Sequence, residues 1–210
     1  MPRLLTSEEA YARWSAAYPP HAHNALMQLE QEAMLSLLPS LQQKVVLDLG
    51  CGTGRYSQLA AEQKAGRVLA MDNSREMLME GRRARAINAP IQAGLDAIPL
   101  AEQSVDVVVC ALAIGHVKTV APVLAELSRV LRAGGTALLS DFHPFLFLSG
   151  KQRTFTANGK TFAVEHYAHL YATLHAAAAQ AHLRIDAILE PMMTVDQQQQ
   201  PAVIVYRLRK

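Results

Sequence analysis

Apolar and polar positions follow two alternating periods along most of the chain. Short continuous apolar runs, the signature of buried strands, are separated by stretches whose apolar positions recur every three or four residues. "KVVLDLG" reads as a buried strand, "YSQLAAEQKAG" as a short helix closed by Gly66, and "RVLAMD" as a second strand. "NSREMLMEGRRARAIN" reads as a helix, with Asn73 and Glu76 three apart, the spacing of a capping box. "VDVVVCALAI" is strongly β-branched and is expected at the centre of a sheet. "APVLAELSRVLRAGG" has Pro122 near its start, apolar residues at 123, 124, 127, 130 and 131, and glycines at its end, which fits a helix. "TALLSDF" is the next strand. Repeated β-α-β units predict an α/β fold, a parallel sheet with helices on both faces.

The ends of the chain break this alternation. Residues 1–40 predict helix, interrupted at Pro19-Pro20. Within residues 142–166, Asn158-Gly159 between β-prone runs predicts a hairpin. A helix is expected over residues 167–181, on which His166 and His169 would share a face. "LRIDAILEP" and "AVIVYRLRK" read as strands joined by a polar loop with four glutamines. Strands joined by a short loop without a helix pair antiparallel. No repeat or domain-sized linker is visible, so residues 1–210 are expected to form one domain.

Composition acts mainly by exclusion. With 50% hydrophobic and 18% charged residues, the chain has material for a real core. A net charge of +2 is too small to argue for nucleic acid or an anionic membrane surface. Arg3, Glu8 and Glu9 near the start, with no apolar run behind the basic residue, do not make a secretory signal. No stretch approaches the length of a membrane span. Cys51 and Cys110 read as buried thiols of a reducing compartment, so a cytoplasmic location is expected. No carboxylate or cysteine completes a metal set around the histidines, so no metal is expected.

The candidate chemistry lies in "VVLDLGCGTGRY". Glycines are needed where backbone approaches a ligand or takes positive φ. Gly50, Gly52 and Gly54 follow a strand and open a helix, at the strand end where ligands of such sheets bind. A dinucleotide loop reads G-x-G-x-x-G, but here the last position of that register would be Arg55, too large for close helix–strand packing. Asp48 before the glycines would repel a pyrophosphate and suits an ammonium group instead. Asp72 ends the next strand, where an acid can accept the hydroxyls of a ribose.

With these features the chain resembles the class I S-adenosylmethionine-dependent methyltransferases that act on small molecules. "VLDLGCGTG" resembles the family's first motif, and Asp72 in "VLAMD" its ribose acid. "SVDVVVCALAIGHV" resembles the fourth-strand motif, "LSRVLRAGGTALLSDFHP" the segment into the fifth strand, and the two closing strands the terminal antiparallel hairpin. The resemblance implies a Rossmann-like, doubly wound, seven-stranded sheet, mostly parallel with an antiparallel C-terminal strand. It implies a helical N-terminal cap over residues 1–40 and a substrate cover over residues 142–175. S-adenosylmethionine is then the cofactor, with Asp48 organising the end that holds the methionine amino group. Gly50, Gly52 and Gly54 would form its bed, Cys51 a small position of backbone contact, and Asp72 the ribose hold. Asn73 and Met77 would lie near the adenine, Met77 equally fitting ordinary helix core. Ala111 of the fourth-strand motif joins the cofactor set, and Tyr18 would close over the methionine end.

Two positions depart from the family pattern. The acid expected five residues before Pro99 is replaced by Gly94. Either Asp96 substitutes for it, or main chain around Leu95 holds the adenine. Ala133 stands where the family has Pro, at a helix end where little depends on it.

Methyl transfer from a sulfonium is a direct displacement in which the protein aligns the nucleophile and excludes water. A general base is needed only when the nucleophile holds its proton at neutral pH. His143 in "DFHPF" and His116 in "AIGHV" follow strand ends and are the candidate catalytic residues, with a polar turn and a packing role as the alternatives. Lys151, Arg153 and Lys160 of the cover suit either an anionic substrate or a solvated face. The expected partner is a small-molecule methyl acceptor for a monomer or homodimer. The alternative function is a protein of the same fold that binds S-adenosylmethionine with non-methylating or no catalytic activity. A nicotinamide-dependent reaction is disfavoured by the glycine spacing and Asp48.

Overall fold

The computed structural model describes residues 2–157, 159–195 and 197–210. The chain enters through strand β1 (Arg3–Leu5), helix α1 (Ser7–Trp14) and helix α2 (Ala25–Leu37). It continues through β2 (Val45–Leu49), α3 (Arg55–Glu62), β3 (Arg67–Asp72), α4 (Arg75–Arg83), β4 (Pro90–Gln92), β5 (Val105–Ala111), α5 (Ala121–Val130) and β6 (Leu131–Phe142). The last part holds α6 (Pro144–Leu148), β7 (Thr154–Ala157), β8 (Lys160–Val164), α7 (Tyr171–Gln180), β9 (Arg184–Leu189), β10 (Met192–Val195), β11 (Gln198–Pro201) and β12 (Val203–Arg209).

Seven strands form the main sheet in the order β4-β3-β2-β5-β6-β12-β9. β4, β3, β2, β5 and β6 run parallel, and β12 is antiparallel to both β6 and β9. The expected Rossmann-like sheet with an antiparallel C-terminal strand is therefore the observed one. Period-two alternation divides the central strands between two cores. Leu47, Leu49, Val108 and Cys110 face a core closed by Leu124, Leu127 and Val130 of α5 and Leu174 and Ala178 of α7. Val46, Val107 and Val109 face a second core closed by Met34 of α2 and by Tyr56 and Ala60 of α3. Helices on both faces leave β5 no wet side, which is why its sequence reads as an unbroken apolar run. The order reverses between β2 and β5, so the loops after these two strands flank one crevice.

The N-terminal segment and the segment after β6 meet over that crevice. β1 pairs in parallel with β8, and β8 pairs antiparallel with β7, making a small separate sheet. Trp14 of α1 stacks on Phe155 with ring centroids 4.8 Å apart, and Leu5, Ala10, Phe155 and Val164 form a third apolar cluster. Thr6 caps α1 with a reciprocal capping box to Glu9, and Asn24 caps α2.

Several local expectations change. Residues 1–40 are not helical throughout, because β1 takes its hydrogen-bond partner from β8, far away in sequence. The β7–β8 hairpin forms as expected, with Asn158 of its turn outside the described residues. The glutamine segment forms the antiparallel pair β10–β11 instead of a loop. α4 is capped by Ser74, whose hydroxyl accepts the Met77 amide; Asn73 lies one residue too early because Asp72 fixes the Ser74 amide. His166 and His169 precede α7 in extended chain and so share no helix face. Among the described residues, no helix is long and apolar enough to cross a membrane.

A buried ion pair ties the N-terminal segment to the sheet. Glu30 of α2 is fully buried and meets the Arg55 guanidinium of α3 at 2.7 Å. Its Oε1 also accepts the hydroxyls of Tyr56 at 3.1 Å and Ser140 of β6 at 2.5 Å. Removing one partner of a buried pair strands the other charge. Glu30→Ala is therefore expected to lower the unfolding free energy by about 3–5 kcal/mol, measured by denaturant titration; a loss under about 1 kcal/mol would contradict this account.

Candidate functional site

The crevice is a cavity walled by the loops after β2, β3 and β5 and roofed by α1 and the residue leading into β7. At its first end the glycine loop turns tightly, with φ of 70°, 55° and 95° at Gly50, Gly52 and Gly54. A side chain at Gly52 would meet nothing within 4 Å, so backbone there is open to the cavity. A Cβ on Gly54 would come within 2.6 Å of Ile87, so this glycine serves close packing against the segment after α4.

Asp72 ends β3 and is held by main chain. Its Oδ2 accepts the Gly52 amide and its Oδ1 the Ser74 amide, each at 2.8 Å. The amides of Gly50 and Cys51 bond the Met71 carbonyl. The loop and the acid thus form one stitched unit. Burial raises the Asp72 pKa against those amides, and each carboxylate oxygen keeps a further lone pair for a ligand hydroxyl. Asp48 lies behind the loop, 2% exposed, with its Oδ2 accepting the Ser57 hydroxyl at 2.7 Å. Burial pushes its pKa up to about 6, against the hydrogen bonds from Ser57. The Thr53 hydroxyl is buried with no partner among the described residues. Open backbone at Gly52, two acids without a neighbouring ammonium and an unpaired hydroxyl fit a ligand that carries a cation and vicinal hydroxyls.

The other end of the cavity is built by distant segments. Tyr11 of α1, His116 after β5 and Arg153 before β7 meet there. His116 Nδ1 faces the Glu165 carbonyl at 3.0 Å, which assigns the proton to Nδ1 and leaves Nε2 as an acceptor. Nε2 accepts from the Tyr11 hydroxyl at 3.0 Å and from Arg153 Nη1 at 2.9 Å. Burial, reinforced by the Arg153 charge, drives the His116 pKa down to about 3. Burial, partly offset by Arg153, keeps the Tyr11 hydroxyl protonated. Leu112 adopts φ of 54°, a strained conformation for a branched side chain. Its amide is held by Ser140 and its carbonyl by Arg153 at 2.9 Å.

Of the residues singled out in the sequence, Asp48, Gly50, Cys51, Gly52, Asp72, Asn73, Met77, Leu95, Asp96, Ala111, Tyr18 and His116 line this cavity. Gly94, Leu95 and Asp96 all do so, leaving both readings of that segment available. Gly54 lies outside the lining, in the packing role above. His143 also lies elsewhere: fully buried, it caps α6 through Nδ1, and its Nε2 bonds Tyr171 and Glu190 at 2.9 Å each. The cap takes Nδ1 and the Tyr171 and Glu190 contacts take Nε2, so neither nitrogen is presented to this cavity. Tyr11, Thr53 and Leu112 join the lining unannounced, and Arg153 joins it instead of a solvated face. The aromatic spacing of Tyr11, Trp14 and Tyr18 in the N-terminal segment is the one sequence signal pointing to this roof.

A family model described as a methyltransferase domain matches residues 47–139. A malonyl-[acyl-carrier protein] O-methyltransferase of Enterobacter lignolyticus is 35% identical over 150 residues, 70% of this chain and 59% of that protein. One from Hamiltonella defensa is 35% identical over 123 residues, 57% of this chain and 47% of that protein. The chain thus spans about half the length of the curated relatives it matches. The crystal structure of an S-adenosylmethionine-dependent methyltransferase from Mesorhizobium loti superposes with a TM-score of 0.73 at 22% identity, covering 87% of this chain and 98% of that one, a likeness of fold.

The buried Asp48 makes ligand-free stability depend on pH. An unfolded aspartate titrates near 3.8 and the folded one near 6, so the folded state binds the extra proton between those values. Its contribution to stability is therefore lost as pH rises through that window. Asp48→Asn is expected to match the parent near pH 3.5 and to exceed it by roughly 1–3 kcal/mol above pH 6, read from denaturant unfolding at a series of pH values. A difference that does not change with pH would refute the raised pKa.

Proposed function

Since the chain belongs to the class I S-adenosylmethionine-dependent methyltransferases, we propose that its cavity transfers the methyl group of S-adenosylmethionine to a small organic acceptor group, free or carried on a protein. The stitched unit of Asp72 and the glycine loop carries this reading. Bound there, S-adenosylmethionine supplies an electrophilic methyl on a sulfonium whose departure needs no acid. Asp72 accepts the ribose hydroxyls with the lone pairs that Gly52 and Ser74 leave unused. Asp48 faces the ammonium end, and the partner cation offsets the desolvation that raises its pKa. Open backbone at Gly52 admits the chain between them. Asn73, Met77 and the Leu95–Asp96 segment flank the base, and Tyr18 covers the methionine end from the roof. In this reading the whole chain is one methyl-transfer unit, with residues 1–40 and 142–175 as its cover.

The acceptor enters at the end occupied by Tyr11, His116 and Arg153. The printed names of the two enterobacterial relatives, which act on malonyl groups of an acyl carrier protein, support an oxygen acceptor on an acyl chain. The roof, formed by two segments that the family model does not match, decides which acceptor fits.

Calorimetric titration tests this directly. S-adenosylmethionine and S-adenosylhomocysteine are expected to bind and NAD is not. Asp72→Asn should weaken S-adenosylhomocysteine by at least ~1 kcal/mol, since hydrogen bonds to charged groups contribute about 1.5–3 kcal/mol. Binding of NAD alone would sink the reading, and full affinity in a folded Asp72→Asn protein would remove Asp72 from the site.

A further inference from the structure

Two separate segments roof the cavity, and both are fastened to one imidazole. His116 follows β5 on the loop whose Leu112 and Ala113 also line the cavity. Its Nδ1 donates to the Glu165 carbonyl, just past β8, at 3.0 Å. Its Nε2 accepts the Tyr11 hydroxyl of α1 at 3.0 Å and Arg153 Nη1, ahead of β7, at 2.9 Å. A neutral imidazole has one donor and one acceptor. This one spends both on the roof, so neither nitrogen is left for a substrate.

The neighbouring bonds gather on the same loop. Arg153 Nη1 also donates to the Leu112 carbonyl at 2.9 Å, where the backbone is strained at φ of 54°. The Tyr167 amide donates to the Gly115 carbonyl at 2.7 Å. His169 Nε2 lies 3.2 Å and 3.0 Å from the carbonyls of Ile114 and Val117. At Gly115 the fit is tightest, since a Cβ there would collide with the His166 ring and the Asp141 carboxylate. Residues 112–117 are thus the seat on which the roof rests. Within the roof, β1, α1, β7 and β8 hold one another by strand pairing and by the Leu5, Ala10, Phe155 and Val164 cluster. The join at His116 is weaker than these. One lone pair cannot give two donors a full bond each, so it is firm yet severable.

We propose that His116 is the clasp of the roof, a positioning residue that holds both covering segments shut over the bound cofactor and gates its exchange. This rests on the methyl-transfer reading above. When the roof lifts, Tyr11 and Arg153 leave Nε2 and the product departs through the gap. Closure restores the contacts together, shuts water out of the acceptor end and fixes Tyr11 and Arg153 against it. No bond to His116 forms or breaks in the chemical step.

The test loads the protein with tritiated S-adenosylhomocysteine, chases with unlabelled compound and follows dissociation by rapid filtration. His116→Leu, which removes both nitrogens, is expected to release the label at least ~10-fold faster, the scale of a lost hydrogen bond to a charged group. Tyr11→Phe, which deletes one hydroxyl, should speed release by a smaller factor. His116→Gln offers an amide oxygen in place of Nε2 and should restore most of the slow release. In the ligand-free protein, the Tyr167 amide should exchange with deuterium at least ~10-fold faster in His116→Leu, while the amides of β2 and β5 keep their parental rates. Unchanged release in both His116→Leu and Tyr11→Phe would overturn the clasp. So would equally fast release by His116→Gln and His116→Leu, or exchange raised alike throughout the sheet. A parent that binds no S-adenosylhomocysteine would overturn the methyl-transfer reading instead, and amide exchange would then decide the clasp alone.

Discussion

The contact between Glu30 and Arg55 decides how the rest of the molecule is arranged. Two charges removed from water are unfavourable unless geometry and further hydrogen bonds compensate them. Here the compensation comes from Tyr56 beside Arg55 and from Ser140 on β6. Helix α2, the helix after the glycine loop and a central strand therefore share one buried acid. Arg55 also reaches the Met27 carbonyl and lines the cavity. Helix α2 and the glycine loop are thereby one assembly, and the position of one fixes the position of the other.

Charge is distributed unequally over that assembly. Among the described residues, Asp48 and Asp72 stand around the glycine loop with no cation in bonding range, while Arg153 stands at the other end with no anion in an ion pair. Each end is incomplete, and in opposite senses. A protein that folds with uncompensated charges of both signs in one cavity stores electrostatic free energy that complementary ligands can release. The histidine and tyrosine beside Arg153 are held neutral by burial and so add no charge at that end.

The sheet was legible in the sequence because its information is local. Val107, Val108, Val109 and Cys110 read as a strand because both faces of β5 are dry, and α5 reads as a helix because Val123, Leu124, Leu127 and Val130 form its buried stripe. The glycine loop was legible for the same reason: acid, glycines and second acid lie within one β-α-β unit. The opposite end of the cavity was not. Tyr11, His116 and Arg153 come from three segments that meet only through tertiary pairing; the aromatic spacing around Tyr11 does not say what it faces, and no pattern marks Arg153. His143 misled for the complementary reason. A strand end points a side chain toward the crevice on average, but the Pro144 turn that follows recruits it as a cap.

The pairing of β1 with β8 joins residues 3–5 to residues 162–164 in parallel, far apart in the chain. Closing so long a loop gains little until the sheet between its ends exists, so such contacts form late. The roof is thus the last part of the molecule to assemble and, by microscopic reversibility, among the first to come away. Its few apolar contacts, chiefly Leu5, Trp14, Phe155 and Val164, can be exchanged without disturbing either main core. A lineage can therefore revise what enters the cavity by rewriting the segments around β1 and β7–β8, while the main sheet and the glycine loop are inherited unchanged.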